Sequence, residues 1–337
     1  MAASAVLNGA RTSSRTAPET RQRILEAAAK LHYRPNAAAR ALADRKMNTL
    51  GVAAVFEGNE LNQYFLEVFN GVVEAAAHSG QNTTVFTLHD WESDARRLPS
   101  FCDGRIDGLL LVAPRLTRES LSVLPEHTPC ISLHSNVLLP RSINLESDEE
   151  TGAYEMVRYL VSLGHRRIMH LSGPRGLVGP ERRIKGYQRA LGTGALQRSS
   201  GPIIETGFNA ERGLSVMSDW LKRSSGQLMP QAIFCANDGI AIGCLEALAA
   251  AGFKVPGDVS VAGFDDTLAA RSTVPQLTTV RQPLRAMGRK AVELLLERIQ
   301  AQRTGEDARA PQTVVFPTEL VLRNSVTVPS AHDLLVP

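Results

Sequence analysis

Residues 232–266, AIFCANDGIAIGCLEALAAAGFKVPGDVSVAGFDD, decide the fold because they contain a strand, a helix and a second strand in succession. The runs AIFCAN (232–237) and VSVAGFD (259–265) are short and aliphatic and are bounded by Asn or Asp. Such runs are typical of strands buried on both faces. The alanine-rich stretch between them has helical character. Because strands that alternate with helices form parallel sheets, this segment predicts an α/β fold.

The same alternation continues through the chain after Lys46. Asp148 and Asn209 each precede a helical stretch and are typical helix N-caps. About ten strands are predicted, more than one sheet comfortably holds, so we expect two doubly wound parallel-sheet lobes. The further aliphatic runs are TLGVAAVF (49–56), NTTVFTL (82–88), IDGLLLVA (106–113), CISLH (130–134) and RIMHLSG (167–173).

Length and composition fit two lobes and a small appendage. The chain has 337 residues, of which 43% are hydrophobic and 21% charged, and this balance excludes wholesale disorder. No apolar stretch approaches the roughly 18 residues of a membrane span, and the first residues lack the pattern of a secretory leader. The four cysteines are dispersed, without a C-x-x-C pair. We therefore expect a cytoplasmic protein that does not contact a membrane.

The positive charge is concentrated at the N-terminus. Residues 1–48 hold nine Lys or Arg against three acidic residues, whereas the remainder holds 28 basic and 31 acidic residues. A basic segment on a mildly acidic body indicates either a polyanionic partner or an ordinary solvated helix face.

The N-terminal segment predicts two helices. Residues 18–32, PETRQRILEAAAKLH, have apolar residues at helical spacing, and Pro35 ends that helix. The following AAARALAD (37–44), which Asn36 can cap, is short and has little apolar surface. Such a helix is marginal in water, so its folding is expected to depend on a partner.

No enzyme motif accompanies the predicted strands. Gly-rich dinucleotide and phosphate loops, Gly-x-Ser-x-Gly and metal-ligand spacings are all absent from the sequence. Parallel sheets bind ligands beyond the carboxyl ends of their strands. The polar residues in that position suit a small polar molecule, and they are Glu57, Arg115, His134, Asn237, Asp238, Asp265 and Asp266.

Six segments, in order along the chain, resemble the LacI/GalR family of bacterial transcription regulators. They are residues 17–42, 49–56, 160–173 (LVSLGHRRIMHLSG), 181–191 (ERRIKGYQRAL), 234–267 and 275–299 (PQLTTVRQPLRAMGRKAVELLLERI). The resemblance implies an all-α helix-turn-helix headpiece, a hinge helix and two lobes like those of periplasmic binding proteins, joined by three crossovers. The implied boundaries are 1–34 for the headpiece, 35–48 for the hinge and linker, 49–147 plus about 284–311 for the first lobe, 148–283 plus about 312–328 for the second, and 329–337 for a tail.

The resemblance also implies residues that contact DNA. Leu42 matches the leucine that wedges into a base step, Ala39 lies near the minor-groove floor and Asn36 lies toward a phosphate; without the family, Leu42 reads as an ordinary packed leucine. The implied DNA-binding set is Ser4, Asn8, Asn36, Ala39, Arg40 and Leu42.

The headpiece departs from the family pattern. MAASAVLNG (1–9) matches only the end of the recognition helix, Ala5 stands where a base-contacting arginine is usual, and Ala17 replaces the usual helix cap. Either the true start lies upstream, or the headpiece is degenerate.

The effector residues implied by the resemblance converge on the cleft between the lobes. Each has an alternative: Asn237 and Asp265 as helix caps, Arg183 as a surface ion pair and Phe208 as a core residue. The implied set is Tyr64, Phe65, Arg183, Phe208, Asn237 and Asp265. A guanidinium, a carboxylate and an amide beside an aromatic ring suit a sugar.

We therefore expect a DNA-binding repressor whose operator affinity is set by a sugar-like effector, without a cofactor, a metal or a catalytic residue. The tail lacks heptads, so a homodimer on a near-palindromic operator is expected rather than a tetramer. The alternative is a cytoplasmic sugar-binding protein that no longer binds DNA specifically. The positive charges of Arg115 and Arg175 would suit an acidic sugar or a sugar phosphate. Solvent exposure is nevertheless the preferred interpretation of both residues.

Overall fold

The computed structural model describes residues 2–7, 16–33, 46–56, 62–122, 124–125, 127–192, 200–305, 310–330 and 335–336. Within these residues the chain forms two α/β lobes, preceded by two helices, as the strand–helix alternation predicts.

The first lobe is built on a six-stranded sheet in which every neighbouring pair is parallel. The spatial order is β11-β5-β4-β3-β1-β2. The strands are β1 (Thr49–Val55), β2 (Asn82–Leu88), β3 (Gly108–Val112), β4 (Cys130–Leu133), β5 (Ile143–Ser147) and β11 (Gln312–Phe316).

Helices cover both faces of this sheet, with one apolar cluster on each face. Two long helices, α3 (Gln63–His78) and α11 (Leu284–Thr304), pack against each other on one face. Three short helices are α4 (Trp91–Asp94), α5 (Leu98–Phe101) and α6 (Arg118–Ser122). The continuous burial of β3 explains its uninterrupted aliphatic sequence.

The second lobe contains a four-stranded parallel sheet of order β7-β6-β8-β9. Its strands are β6 (Ile168–Ser172), β7 (Ile203–Glu205), β8 (Ala232–Cys235) and β9 (Ser260–Ala262). Its helices are α7 (Glu149–Ser162), α8 (Val178–Leu191), α9 (Ala210–Arg223) and α10 (Asp238–Ala250). The predicted caps are confirmed: Asp148 accepts from the Thr151 amide, and Asn209 accepts from the Arg212 amide.

The chain passes between the lobes at three neighbouring points. β5 leads to α7; β10 (Thr279–Arg281) leads to α11; and β11 leads to β12 (Glu319–Val321), which pairs antiparallel with β10. The Asp148 amide donates to the Phe316 carbonyl over 2.9 Å, so the first and third crossovers are bonded together.

Two sequence boundaries need correction. Residues from 312 onward were expected in the second lobe, but β11 pairs in parallel with β5 and so belongs to the first-lobe sheet. The end of the predicted tail (329–337) packs against the second lobe. Val336 is buried in the second-lobe core and forms backbone hydrogen bonds with Gly226 and Gln227.

The N-terminal segment contains α1 (Ala2–Leu7) and α2 (Pro18–Lys30), which contact each other. The predicted helix is confirmed from Pro18, but it ends at Lys30 rather than at His32, and Ala17 provides no side-chain cap. No residue of α2 is buried against the described part of the chain, and Leu31 and Tyr33, which follow the helix, are exposed. The predicted hinge helix falls outside the described residues.

Candidate effector cleft

A buried ion cluster lies where the lobes meet. Arg183 Nη2, on α8, lies 2.7 Å from Glu149 Oε1 and 3.8 Å from Asp265 Oδ1. These side chains are buried, and the Arg183 guanidinium also lies 4.2 Å from the centre of the Phe264 ring and donates to the Ala236 carbonyl. Burial alone would lower the pKa of Arg183, but Glu149 and Asp265 outweigh it and raise that pKa. Arg183 is therefore a charged and buried centre, not a surface ion pair.

A chain of hydrogen bonds joins this cluster to the first lobe. The Tyr64 hydroxyl lies 2.5 Å from His134 Nδ1, and His134 Nε2 accepts from the Ser147 amide over 3.1 Å. Ser147 Oγ donates to Gln282 Oε1, and Gln282 Nε2 donates to Asp265 Oδ1 over 2.6 Å. Since Ser147 and Gln282 lie at the first two of the three crossovers, these hydrogen bonds join those two crossovers to each other.

The backbone amide fixes the direction of these hydrogen bonds. An N–H can only donate, so His134 Nε2 accepts and its proton lies on Nδ1, from which it is donated to the Tyr64 oxygen. Burial lowers the pKa of His134, which keeps the ring neutral. Burial, followed by the charges of Glu149 and Asp265, raises the pKa of Tyr64 well above its ordinary value. Tyr64 therefore keeps its proton and can donate it to another group.

Two carboxyl groups at the end of the second-lobe sheet have raised pKa values. Burial raises the pKa of Asp265 to about 6, against the opposing effect of Arg183. Burial and the charge of Asp265 raise the pKa of Asp238 to about 8, although Thr279 and Thr267 donate to it. Asp265 also has a φ of 116°, in a region that L-residues rarely adopt. Such perturbed groups gathered at the end of a parallel sheet are typical of a ligand site.

A second ion pair crosses between the lobes beside the first. Arg182 Nη2 donates to Glu146 Oε1 over 3.0 Å, and Asn144 Nδ2 donates to Glu146 Oε2 over 3.1 Å. Arg182 is on α8 and Glu146 is on β5, so this pair also connects the lobes.

The chain's sequence and overall shape match known regulators. A model of the periplasmic binding protein-like domain family matches residues 157–326. The HTH-type transcriptional repressor PurR of Vibrio parahaemolyticus is 30% identical over 92% of this chain and 90% of its own length. The chain belongs to the LacI/GalR family of transcriptional regulators. A second relative, the HTH-type transcriptional regulator DegA of Bacillus subtilis, is 29% identical over 94% of this chain and 91% of its own.

Solved structures of LacI/GalR regulators share the fold. The lac repressor dimer bound to operator and the anti-inducer ONPF is 26% identical, with a TM-score of 0.78 over 97% of this chain and 94% of that one. A CelR regulator in complex with cellobiose is 26% identical, with a TM-score of 0.71 over 96% and 94% of the two chains. These relatives are regulators rather than enzymes. Among the residues described here, no helix is long and apolar enough to cross a membrane.

The structure brings together three of the effector residues that the LacI/GalR resemblance implies. Tyr64, Arg183 and Asp265 belong to the network between the lobes. Phe65 lies in the first-lobe core, 3% exposed and stacked on Phe69. A ligand contact by Phe65 remains a prediction.

Asn237 and Phe208 have more local roles than expected. Asn237 Oδ1 accepts from the Ile240 amide and its Nδ2 donates to the Phe208 carbonyl, so its amide caps α10 and fixes the neighbouring loop. The Phe208 ring is half-buried and passes beside Gly173, where a Cβ atom would lie 2.6 Å from the ring. Ligand contacts by either residue remain predictions.

The other predicted positions are dispersed. Arg115 and Arg175 are exposed, in agreement with the preferred interpretation. His134 belongs to the network, whereas Asp266 is paired with three arginines. Glu57 and five of the implied DNA-binding residues lie outside what the structure describes: Asn8, Asn36, Ala39, Arg40 and Leu42, and Ser4 lies on α1 without a described side chain.

Glu149 and Gln282 belong to the network but were not predicted from the sequence. Glu149 comes two residues after the end of β5, a strand that was not predicted because its sequence INLES alternates polar and apolar residues. All five residues of β5 are nevertheless buried. Applying the strand-end rule to that segment would have placed Glu149 among the candidates; no sequence signal points to Gln282.

Proposed function

We propose that this chain is a homodimeric repressor whose affinity for a near-palindromic operator is controlled by a small polyhydroxylated effector in the cleft. The observation that carries this proposal is the polar network of Tyr64, Arg183 and Asp265 between the two lobes. It is supported by similarity to regulators solved with operator and with cellobiose.

The cleft chemistry supports a sugar-like ligand. Carboxylate oxygens, a guanidinium and a tyrosine hydroxyl supply both acceptors and donors at one place, and a hydroxyl group can satisfy either kind. The half-buried ring of Phe208 offers an apolar surface of the kind that packs against the C–H face of a sugar.

The location of the network suits control of DNA binding. Its members lie on both lobes and at two of the crossovers, so a ligand that bonds to them stabilises one arrangement of the lobes over another. In each protomer the basic segment is followed directly by the first lobe. The arrangement of the lobes, and so the effector, would therefore set the spacing of the two basic segments in the dimer. Residues 1–48 carry the net positive charge that a phosphate backbone attracts.

The test starts from selection of duplexes out of a random DNA library with the full chain, followed by anisotropy titrations of the enriched duplex with and without sugars. We expect a near-palindromic sequence, a binding constant whose logarithm falls linearly with the logarithm of the salt concentration, and a sugar-dependent shift in that constant. Leu42→Ala should weaken binding to the selected duplex, because it removes the expected wedge.

The alternative function is a sugar-binding protein without specific DNA binding, which is motivated by Ala5 at the position where the resemblance implies a base-contacting arginine. Calorimetric binding of a sugar together with failure to enrich any duplex would favour this alternative and exclude the repressor proposal.

A further inference from the structure

We propose that Glu149 is a ligand-binding residue of the cleft, whose free carboxylate oxygen selects neutral or amino sugars against anionic ones. This inference rests on the proposed function and names the charge class of the ligand for the same site.

Glu149 has one engaged and one unengaged oxygen. Oε1 accepts from Arg183 Nη2 over 2.7 Å, whereas Oε2 has no hydrogen-bond partner among the described residues. Arg182 Nη1 lies 4.0 Å from Oε2, too far for a hydrogen bond. Glu149 is only 2% exposed, and a buried carboxylate oxygen without a donor is costly. A donor on a bound ligand would remove that cost.

Glu149 lies at the boundary between the lobes: it begins α7 two residues after β5 ends, and Arg182, whose Nη1 is 4.0 Å from its Oε2, pairs with Glu146 on β5. Its charge acts on Tyr64 and His134 of the first lobe as well as on Arg183 of the second. A Cβ atom on Gly179, in the first turn of α8, would lie 2.7 Å from Glu149 Oε1. The carboxylate therefore packs closely against the start of that helix.

The unengaged groups define what a ligand must supply. Arg183 Nε is a buried donor without a partner among the described residues, and Tyr64 has a proton to donate. Glu149 Oε2 can only accept while it is ionised. A hydroxyl group can serve all three, and an ammonium group serves Glu149 especially well, but an anionic group supplies acceptors only and leaves Oε2 unmatched.

The charges around this place also oppose an anion. The facing carboxylates are Glu146, Glu149 and Asp265, and the facing cations are Arg182 and Arg183. Both guanidinium groups already have carboxylate partners, so the five ionisable groups leave a net negative charge when all are ionised. A phosphate or sugar acid would meet that charge at close range.

The experiment measures binding by calorimetry of three sugars on one skeleton, namely glucose, glucosamine and glucuronate, and of their galactose counterparts. The wild-type chain should bind a neutral or amino member at least tenfold more tightly than its anionic counterpart. Glu149→Gln should weaken glucosamine binding by roughly tenfold to hundredfold, the range of a hydrogen bond to a charged group. The ratio of the glucosamine affinity to the glucuronate affinity should fall by a similar factor.

The matched control is Glu150→Gln. Glu150 is the next residue of α7 and pairs with Arg189 at the surface, so its replacement removes the same charge from the same helix turn without touching the cleft. Its affinities should stay within about twofold of the wild type. Thermal unfolding checks that each variant is folded. Glu149→Asp keeps the charge on a shorter side chain, and it should lose affinity while retaining the preference against glucuronate.

An unchanged ratio in folded Glu149→Gln, tight binding of anionic sugars only, or no binding of any of these sugars by the wild type would each overturn the inference. Should Glu149→Gln fail to fold, the wild-type ranking and Glu149→Asp decide the matter. Operator binding is measured on the same preparations. A chain that binds operator and responds to glucuronate alone retains the repressor function and loses only the role proposed for Glu149.

Discussion

Asp266 shows how a single residue can be redirected from the role that its sequence position indicates. It follows β9 beside Asp265, where a ligand contact was expected. Its fully buried carboxylate instead accepts hydrogen bonds from Arg271 Nη2 over 3.1 Å and from Arg281 Nε over 2.7 Å. Arg323 donates to its other oxygen. Burial would raise the pKa of Asp266, yet the hydrogen bonds from Arg323 and Arg281 outweigh this and lower it. Asp266 therefore ties three chain segments together within the second lobe.

Asp266→Asn should destabilise the protein by about 2–4 kcal/mol at pH 7, because it leaves three arginines without their shared charge. Because the folded pKa lies below the ordinary 3.8, the contribution of Asp266 is complete above that value and is lost as the pH falls through the folded pKa. The difference in urea unfolding free energy between the variant and wild type should thus stay constant from pH 8 to 5. Asp219→Asn, at an exposed pair on α9, is the control and should change it by less than about 0.5 kcal/mol. A variant as stable as the control would contradict this role.

At the scale of elements, α9 and α10 approach each other so closely that glycine is required between them. A Cβ atom on Gly243 would lie 1.9 Å from the Ala210 carbonyl oxygen, and one on Gly213 would lie 2.5 Å from that of Ile240. The obstacles are backbone atoms, which cannot rotate away as a side chain can. The pair of glycines therefore sets the distance between these two helices on the second-lobe sheet.

Gly243→Ala should destabilise the second lobe by about 1–3 kcal/mol, since the overpacking outweighs the better helix propensity of alanine. Glu246→Ala on the exposed face of α10 is the matched control and should have an effect within about 0.5 kcal/mol. Chemical unfolding of both variants measures the difference. If Gly243→Ala were as stable as wild type, the helices would have to separate more easily than their backbone contacts indicate.

At the scale of the whole molecule, Gln282 holds the lobes together through its two amide atoms. One accepts from Ser147 at the first crossover and the other donates to Asp265 in the second lobe. Its hydrogen bond also opposes the rise in the Asp265 pKa that burial causes. A change in the relative position of the lobes would act directly on these bonds.

Gln282→Met should destabilise the chain by about 1–3 kcal/mol, because the similar-sized side chain removes the amide donor to the buried Asp265 carboxylate and the amide acceptor of the buried Ser147 hydroxyl. If the proposed coupling runs through these crossovers, the factor by which effector shifts operator affinity should also fall. By linkage, the factor by which operator shifts effector affinity must fall equally. Anisotropy and calorimetry measure the two factors. Gln276→Met, whose amide bonds only locally to the Arg271 carbonyl, should leave both unchanged. An undiminished coupling factor in Gln282→Met would exclude this route.

The sequence by itself determined the α/β class, the aliphatic strands and the helix caps. A strand such as β3 is apolar throughout because both of its faces are buried, and a cap such as Asn209 bonds to an amide three residues away. These are local consequences of burial and hydrogen bonding, so a linear pattern carries them. The strand-end rule pointed to His134 and Asp265, and the resemblance to known regulators added Tyr64 and Arg183.

Only the tertiary structure decided where β5 and β11 lie and which groups meet in the cleft. β11 joins the first lobe through pairing with β5, a strand whose polar residues hide its burial from any pattern of hydropathy. Glu149 meets Arg183 across 34 residues, and Ser147 meets Gln282 across 135. No local preference encodes such contacts, because they form only when three crossovers bring distant segments to the same place.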